Sequence, residues 1–288
     1  MGAPEVAMQG PAQTILTLCA VGLWTAACSA VLTPLLRSRR MVRTNYRGAT
    51  VVTATGIAIV IGAMPGVLAA AGVSSADRRF CLALALALLC FGALGFADDR
   101  WGSPAAKGLR GHLRKLARER RLTSGIIKAT GGLVAAGCIA SAVLGLPADR
   151  AALATLATAL AANGANLLDL RPGRASAACI VLMLAAVAGL AVSGHRPAAT
   201  AVACVVISAS VLYPPDARGW AMLGDTGSNA LGACVGLCLL QALPGLPSWI
   251  ALLACLTVLH LIAERWSLSR IIEGNRLLAA LDRLTGVR

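Results

Sequence analysis

FCLALALALLCFGALGFADDR, residues 80–100, is the stretch on which the fold turns. From Phe80 to Ala97 no residue carries a charge. A helix of that length crosses roughly the 30 Å of hydrocarbon in a bilayer. The run ends on two adjacent carboxylates, Asp98 and Asp99, followed by Arg100. In a chain with only 12 Asp and Glu among 288 residues, such a pair needs a physical account. Taken alone, Asp-Asp reads as a solvated loop pair. Its position in the whole chain has to decide.

The apolar pattern repeats on both sides. Hydrophobic residues make up 58 % of the chain, charged residues 13 %, and mean hydropathy is +0.76. A soluble domain carries about a quarter charged residues. Reading apolar runs between charge and Gly/Pro punctuation predicts nine spans, at about 12–36, 49–74, 79–97, 123–145, 150–168, 175–193, 198–213, 229–244 and 248–263. Ile271-Ile272 and Leu277-Leu278 add an amphipathic pattern that suits a tenth, broken or re-entrant element. The expected architecture is all-α, a polytopic helical membrane bundle of nine to ten transmembrane helices. It forms a single integral-membrane domain over residues 1–288, with no soluble domain of useful size.

Charge sets the expected orientation. With nine spans and the N-terminus outside, segments 37–48, 98–122, 169–174, 214–228 and 264–288 face inward and hold 21 of the 26 Lys and Arg. Such asymmetry marks the cytoplasmic face. It also explains the net charge of +14 without a nucleic-acid partner, since a basic inner surface sits beside anionic headgroups. The core of the basic loop, Lys107 to Arg121, reads as a short helix lying on the membrane. No Lys or Arg precedes the first apolar run, so it reads as a retained span rather than a cleaved signal. The ten cysteines lie mostly in apolar runs without CxxC spacing, and Cys234 and Cys238 read as small packing residues.

Three polar clusters fall on the inner side under this topology. Asp98-Asp99 end the third span. Asn163, Asn166 and Asp169 recur every third residue at the end of the fifth, on one helical face. Asp225 lies in GDTGS (224–228), just before an apolar helix expected to begin near Asn229, where Thr226 or Ser228 would cap it and helix amides favour phosphate. Tyr213-Pro214-Pro215 reads as a rigid lead-in to that loop. Polar residues at the inner end of a span are costly against lipid and face a bundle interior, for hydrogen bonding between helices or for a ligand. Lys128, four residues after Ser124, either snorkels or pairs with phosphate or carboxylate. Arg171 and Arg174 sit on either side of a helix break at Pro172 and suit phosphate or lipid headgroups. Carboxylates from separate helices at a basic membrane face suit Mg²⁺, which takes one or two carboxylates and completes its shell with phosphate oxygens and water. That set points to phosphoryl transfer.

In order and spacing, GFADD (95–99), NGANLLD (163–169) and GDTGS (224–228), with Asn45-Tyr-Arg-Gly48 and LTSGIIK (122–128), resemble the polyprenyl-phosphate N-acetylhexosamine-1-phosphate transferase superfamily. Its members include the phospho-N-acetylmuramoyl-pentapeptide transferases and the undecaprenyl-phosphate GlcNAc-1-phosphate transferases. The resemblance implies transfer of a sugar-1-phosphate from a UDP-sugar to a polyprenyl phosphate such as undecaprenyl phosphate, with release of UMP, in cell-wall or envelope polysaccharide synthesis. It implies a multi-pass protein of the bacterial cytoplasmic membrane with a cytoplasmic active site, and a homodimer is compatible with it. By position, Asp98 and Asp99 would be catalytic, Asp98 as the base toward the lipid phosphate or as the nucleophile of a two-step route. Asp225 would be the main ligand of Mg²⁺, or of Mn²⁺ in its place, with Asp99 supporting it. Lys128, Asn163, Asn166 and Asp169 would bind substrate.

Two departures stand against the family pattern. The second motif commonly continues as DGLDGL, whereas this chain has Asp169-Leu-Arg-Pro-Gly-Arg174, placing Pro172 where a second Asp is usual. The late cytoplasmic His-rich motif is absent, and the corresponding region begins at Glu264. His260, inside the ninth span, reads as a packed or hydrogen-bonded residue. A catalytically inactive membrane scaffold or ligand-binding homologue in envelope biogenesis is therefore the alternative. A transporter would favour internal repeats, and no convincing repeat is present.

Overall fold

The computed structural model of the protein describes residues 10–45, 47–102 and 124–286. The expected basic surface helix at 107–121 lies outside them. Eleven helices are described, α1 (Pro11–Ser38), α2 (Ile57–Val73), α3 (Ser75–Trp101), α4 (Ser124–Cys138), α5 (Ala148–Leu168), α6 (Arg174–Val192), α7 (Arg196–Ala217), α8 (Gly224–Ala242), α9 (Gly245–Arg265), α10 (Leu268–Gly274) and α11 (Arg276–Leu284). Seven helical segments are long and apolar enough to cross a membrane, namely α1, α3, α4 with its extension to Val143, α5, α6, α7 and α9.

The two remaining long helices have separate reasons for falling short. α2 has 17 residues, about 26 Å at the α-helical rise. The apolar pattern starts this span at about 49, but Thr50–Val52 instead pairs antiparallel with Val42–Thr44, in register Val42 to Val52. This hairpin corrects the all-α expectation. Its second strand is the β-branched run Thr50-Val51-Val52, which suits a pleated surface better than a helix. α8 is long enough but begins with polar residues, Asp225, Thr226, Ser228 and Asn229. Those residues meet protein and not lipid, because 15 of the 19 residues of α8 are buried. α8 is the central helix, packed chiefly between α3 and α5. At the opposite extreme, no residue of α9 is buried.

Close approach to the central helix is bought with small residues. A Cβ on Gly95 of α3 would lie 2.1 Å from the Asp225 carbonyl oxygen of α8. Only a residue without a side chain lets the two helices meet there. The core around them is mostly Ala, Val, Leu and Cys, including Cys234 and Cys238.

α8 begins at Gly224, five residues earlier than expected, so GDTGS forms its opening turn and is not a preceding loop. Pro214 and Pro215 belong to the last turn of α7. α4 ends in a single π turn over Ile139–Val143. The amphipathic C-terminal pattern forms two short helices, α10 and α11.

Candidate functional site

Four chain segments meet at one end of the bundle. They are the C-terminal end of α3, the start of α4, the C-terminal end of α5 and the first turn of α8. The Lys128 ammonium lies between two carboxylates, 3.4 Å from Asp98 Oδ2 and in contact with Asp225 Oδ2. Asn166 completes the group. With its amide oxygen turned to the ammonium, it accepts from Lys128 Nζ at 3.0 Å and donates to Asp225 Oδ1 at 3.0 Å. All four side chains are partly buried, so these charges interact in a poorly screened setting.

Asp99 faces a different partner. Its Oδ1 accepts the Asp225 N–H at 3.1 Å, and its Oδ2 accepts the Thr226 N–H at 2.9 Å and the Thr226 hydroxyl at 2.6 Å. A carboxylate from α3 thus caps the N-terminus of α8, where free amides and the helix dipole favour negative charge. Neither local cap expected from the sequence is formed. Thr226 Oγ1 donates to Asp99, and the Ser228 hydroxyl donates back to the Gly224 carbonyl at 3.0 Å. Gly224 itself has φ +72°, and a Cβ there would stand 2.5 Å from Asp99 Oδ2.

The β-hairpin holds the approach to α8 from outside. The Met222 N–H donates to the Val52 carbonyl at 2.8 Å, and the Thr55 and Gly56 amides donate to Met222 and Leu223 carbonyls at 3.2 and 3.0 Å. Asn45 closes the hairpin turn by accepting the amides of Arg47 and Ala49, each at 3.0 Å, and its Nδ2 donates to the Gly219 carbonyl at 3.2 Å. Arg43 donates to the Asp99 backbone carbonyl at 3.3 Å.

Asp169 stands at the end of α5, beside a small cleft lined by Asn45, Arg171, Pro172, Asp216 and Met222. Burial pushes its carboxyl well above the usual carboxylate range, and the Asp216, Asp225 and Asp99 charges add to that shift. Asn163 lies about one turn deeper than Asn166 along α5. Among the described residues, neither Asn163 nor Asp169 makes a side-chain hydrogen bond to the Lys128 group. The sequence reading missed Asp216. It is buried, accepts the Ser176 hydroxyl at 2.5 Å and bonds the backbone amides of Gly173 and Leu223. It therefore ties the loop after Asp169 to the loop before Asp225. Its rarity as an inner-side acid, directly after Pro214-Pro215, was the available signal.

The donor chemistry fits a hard divalent cation in part. Asp98, Asp225 and Asn166 supply oxygen donors around a point that already favours positive charge, as the Lys128 ammonium shows. Among the described residues no group of three Asp, Glu, His or Cys side chains converges to hold an ion by itself. Mg²⁺ commonly takes only one or two carboxylates, with phosphate and water supplying the rest. Asp98 and Asp225 meet that need, whereas the Asp99 oxygens are committed to helix amides.

An apolar groove of about 840 Å³ runs along α3 and α4 and ends beside this group. Leu86, Cys90 and Leu94 line one wall, and Val134, Thr130 and Ile127 the other. Its last residues, Ala97 and Ile127, are the chain neighbours of Asp98 and Lys128.

Neither the protein-family models nor the curated proteins give a match to this chain.

Proposed function

We propose that the protein is an integral-membrane transferase that moves a sugar-1-phosphate from a UDP-sugar to a polyprenyl phosphate, releasing UMP. The observation that carries this reading is the apolar groove whose lining includes Ala97 and Ile127, the chain neighbours of Asp98 and Lys128, with Asp225 in contact with Lys128. Its walls suit an isoprenoid chain, and the neighbouring Lys128 group suits the phosphate that such a chain bears. The motif order described above supplies the rest.

In this reading Lys128 receives the lipid phosphate as a point charge, and Asp98 takes its proton. A phosphate oxygen then attacks the sugar-bearing phosphorus of the donor. A new P–O bond forms, the P–O bond within the diphosphate breaks, and its electron pair leaves with UMP. Asp225 and Asp98 would hold Mg²⁺, which neutralises the diphosphate charge when bound. Asn166 orients Asp225 and Lys128. Asp99 acts by setting the position of the first turn of α8, and Asp169 faces the donor side with Asn163 deeper in the bundle. The active face is cytoplasmic by the charge asymmetry of the loops.

The test is direct. Purified protein is incubated with undecaprenyl phosphate, Mg²⁺ and labelled UDP-GlcNAc or UDP-MurNAc-pentapeptide, and labelled lipid and UMP are measured. The reading expects product that disappears on EDTA addition and in Asp225→Asn. Binding of polyprenyl phosphate without product from any UDP-sugar, beside an active control enzyme, would favour the ligand-binding scaffold.

A further inference from the structure

The last two helices are fastened to the loop that carries Asp169. Arg174 opens α6 and is only 5 % exposed, and it meets the 7 % exposed Asp282 of α11 through two parallel hydrogen bonds of 2.7 Å. A third nitrogen of Arg174 donates to Ser269 of α10 at 3.1 Å. Arg171, three residues earlier, pairs with Glu273 at 2.8 Å. A Cβ on Gly173 would lie 2.2 Å from the Thr285 carbonyl oxygen, so the backbones touch. Both acids of α10 and α11 thus point inward onto the loop.

The opposite side of α11 is apolar and open. Leu277, Leu278, Leu281 and Leu284 lie within one stripe at helical spacing, with Leu277 70 % and Leu284 79 % exposed. Arg276 and Arg283 border this stripe on one flank, seven residues apart. α10 follows α9 after a short break, and α9 is the apolar helix at the rim of the bundle with no buried residue. Exposed Trp266, Trp220 and Leu170 crowd the same end of the molecule. Leucines on one face, arginines at the border and interfacial tryptophans nearby describe a helix seated in a headgroup layer.

We propose that α11 is a lipid-binding element. Its leucine face beds into the headgroup–acyl boundary of an anionic leaflet, its arginines contact the lipid phosphates, and Arg174–Asp282 ties that seat to the Asp169 loop. This rests on membrane insertion of the apolar helices and not on the transferase reading. A protein without transferase activity would carry the same seat.

The test uses full-length protein in nanodiscs of phosphatidylcholine, with or without phosphatidylglycerol. Amide exchange over residues 276–284 is followed by mass spectrometry, and a photoactivatable phosphatidylglycerol reports contact. Exchange is expected to be slower in the anionic discs, with lipid adducts on α11. Arg276→Gln and Arg283→Gln should each speed exchange about fivefold in anionic discs and not in neutral ones. Leu277→Ser with Leu284→Ser should remove the adducts. Asp282→Asn should loosen α11 from Arg174 while the adducts persist, which separates unlatching from loss of the lipid seat. Equal exchange in both discs, adducts unchanged by the double leucine substitution, or cross-links to a second copy of the chain in place of lipid would overturn the proposal.

Discussion

Asp99 of α3 caps α8 by accepting the Asp225 and Thr226 amides, at 3.1 and 2.9 Å, from 126 and 127 residues away in the chain. Its neighbour Asp98 faces Lys128 at 3.4 Å. Consecutive carboxylates on one helix therefore do different work. One holds the backbone of the central helix, and the other belongs to the charged group beside the groove.

Asp99→Asn should lower stability by about 1 to 2 kcal/mol, the scale of a lost helix cap with its charge. Asp99→Ala should cost more, because the Thr226 hydroxyl loses its acceptor. The thermal unfolding midpoint in detergent measures both. Asp98→Asn should leave that midpoint closer to wild type and act chiefly on product formation.

Lys128→Gln removes the positive charge between Asp98 and Asp225. Under the proposed function, transfer activity should fall about a hundredfold or more, the scale of losing a placed electrostatic partner. The unfolding midpoint should drop and be partly restored by added Mg²⁺, with a smaller response in wild type. An equal Mg²⁺ response in both proteins would remove Asp98 and Asp225 as the ion's ligands.

Asp169 fixes the sign of one pH dependence. Burial and the neighbouring Asp216, Asp225 and Asp99 charges raise its folded-state pKa well above the unfolded value, which is about 3.9. The folded protein therefore holds this proton more tightly than the unfolded chain. The associated stability is full below the unfolded pKa and is lost as pH rises through the folded one. Asp169→Asn should accordingly be more stable than wild type at neutral pH, with the difference vanishing in acid. Under the proposed function, its affinity for a UDP-sugar should fall at the same time, which parallel titration and melting experiments would read separately.

Gly95→Ala brings a methyl to 2.1 Å from the Asp225 carbonyl, a contact that forces α3 from α8. A loss of about 3 kcal/mol or more follows, at the upper end for overpacking a core. Reduced recovery of folded protein in detergent and a lowered midpoint are the expected readings. Ala93→Gly on the exposed side of α3 should cost only about 1 kcal/mol.

The sequence by itself determined the helical membrane class and the approximate placement of the nine long helices. Apolar length is a local quantity, and lipid imposes it residue by residue. It also singled out Asp98, Lys128, Asn166 and Asp225, because charge is scarce in such a chain. Tertiary structure alone decided which of these meet and what each one faces. Asp98 and Asp99 are indistinguishable by position, yet rotation about the helix axis turns one toward Lys128 and the other toward the amides of α8. The anchoring of the β-hairpin on Met222, the early start of α8 and the role of Asp216 likewise depend on partners distant in the chain, 40 residues away for Ser176 and 127 for the Asp99–Thr226 cap. No local propensity records a cap supplied from another helix, since only folding brings those groups within hydrogen-bond distance.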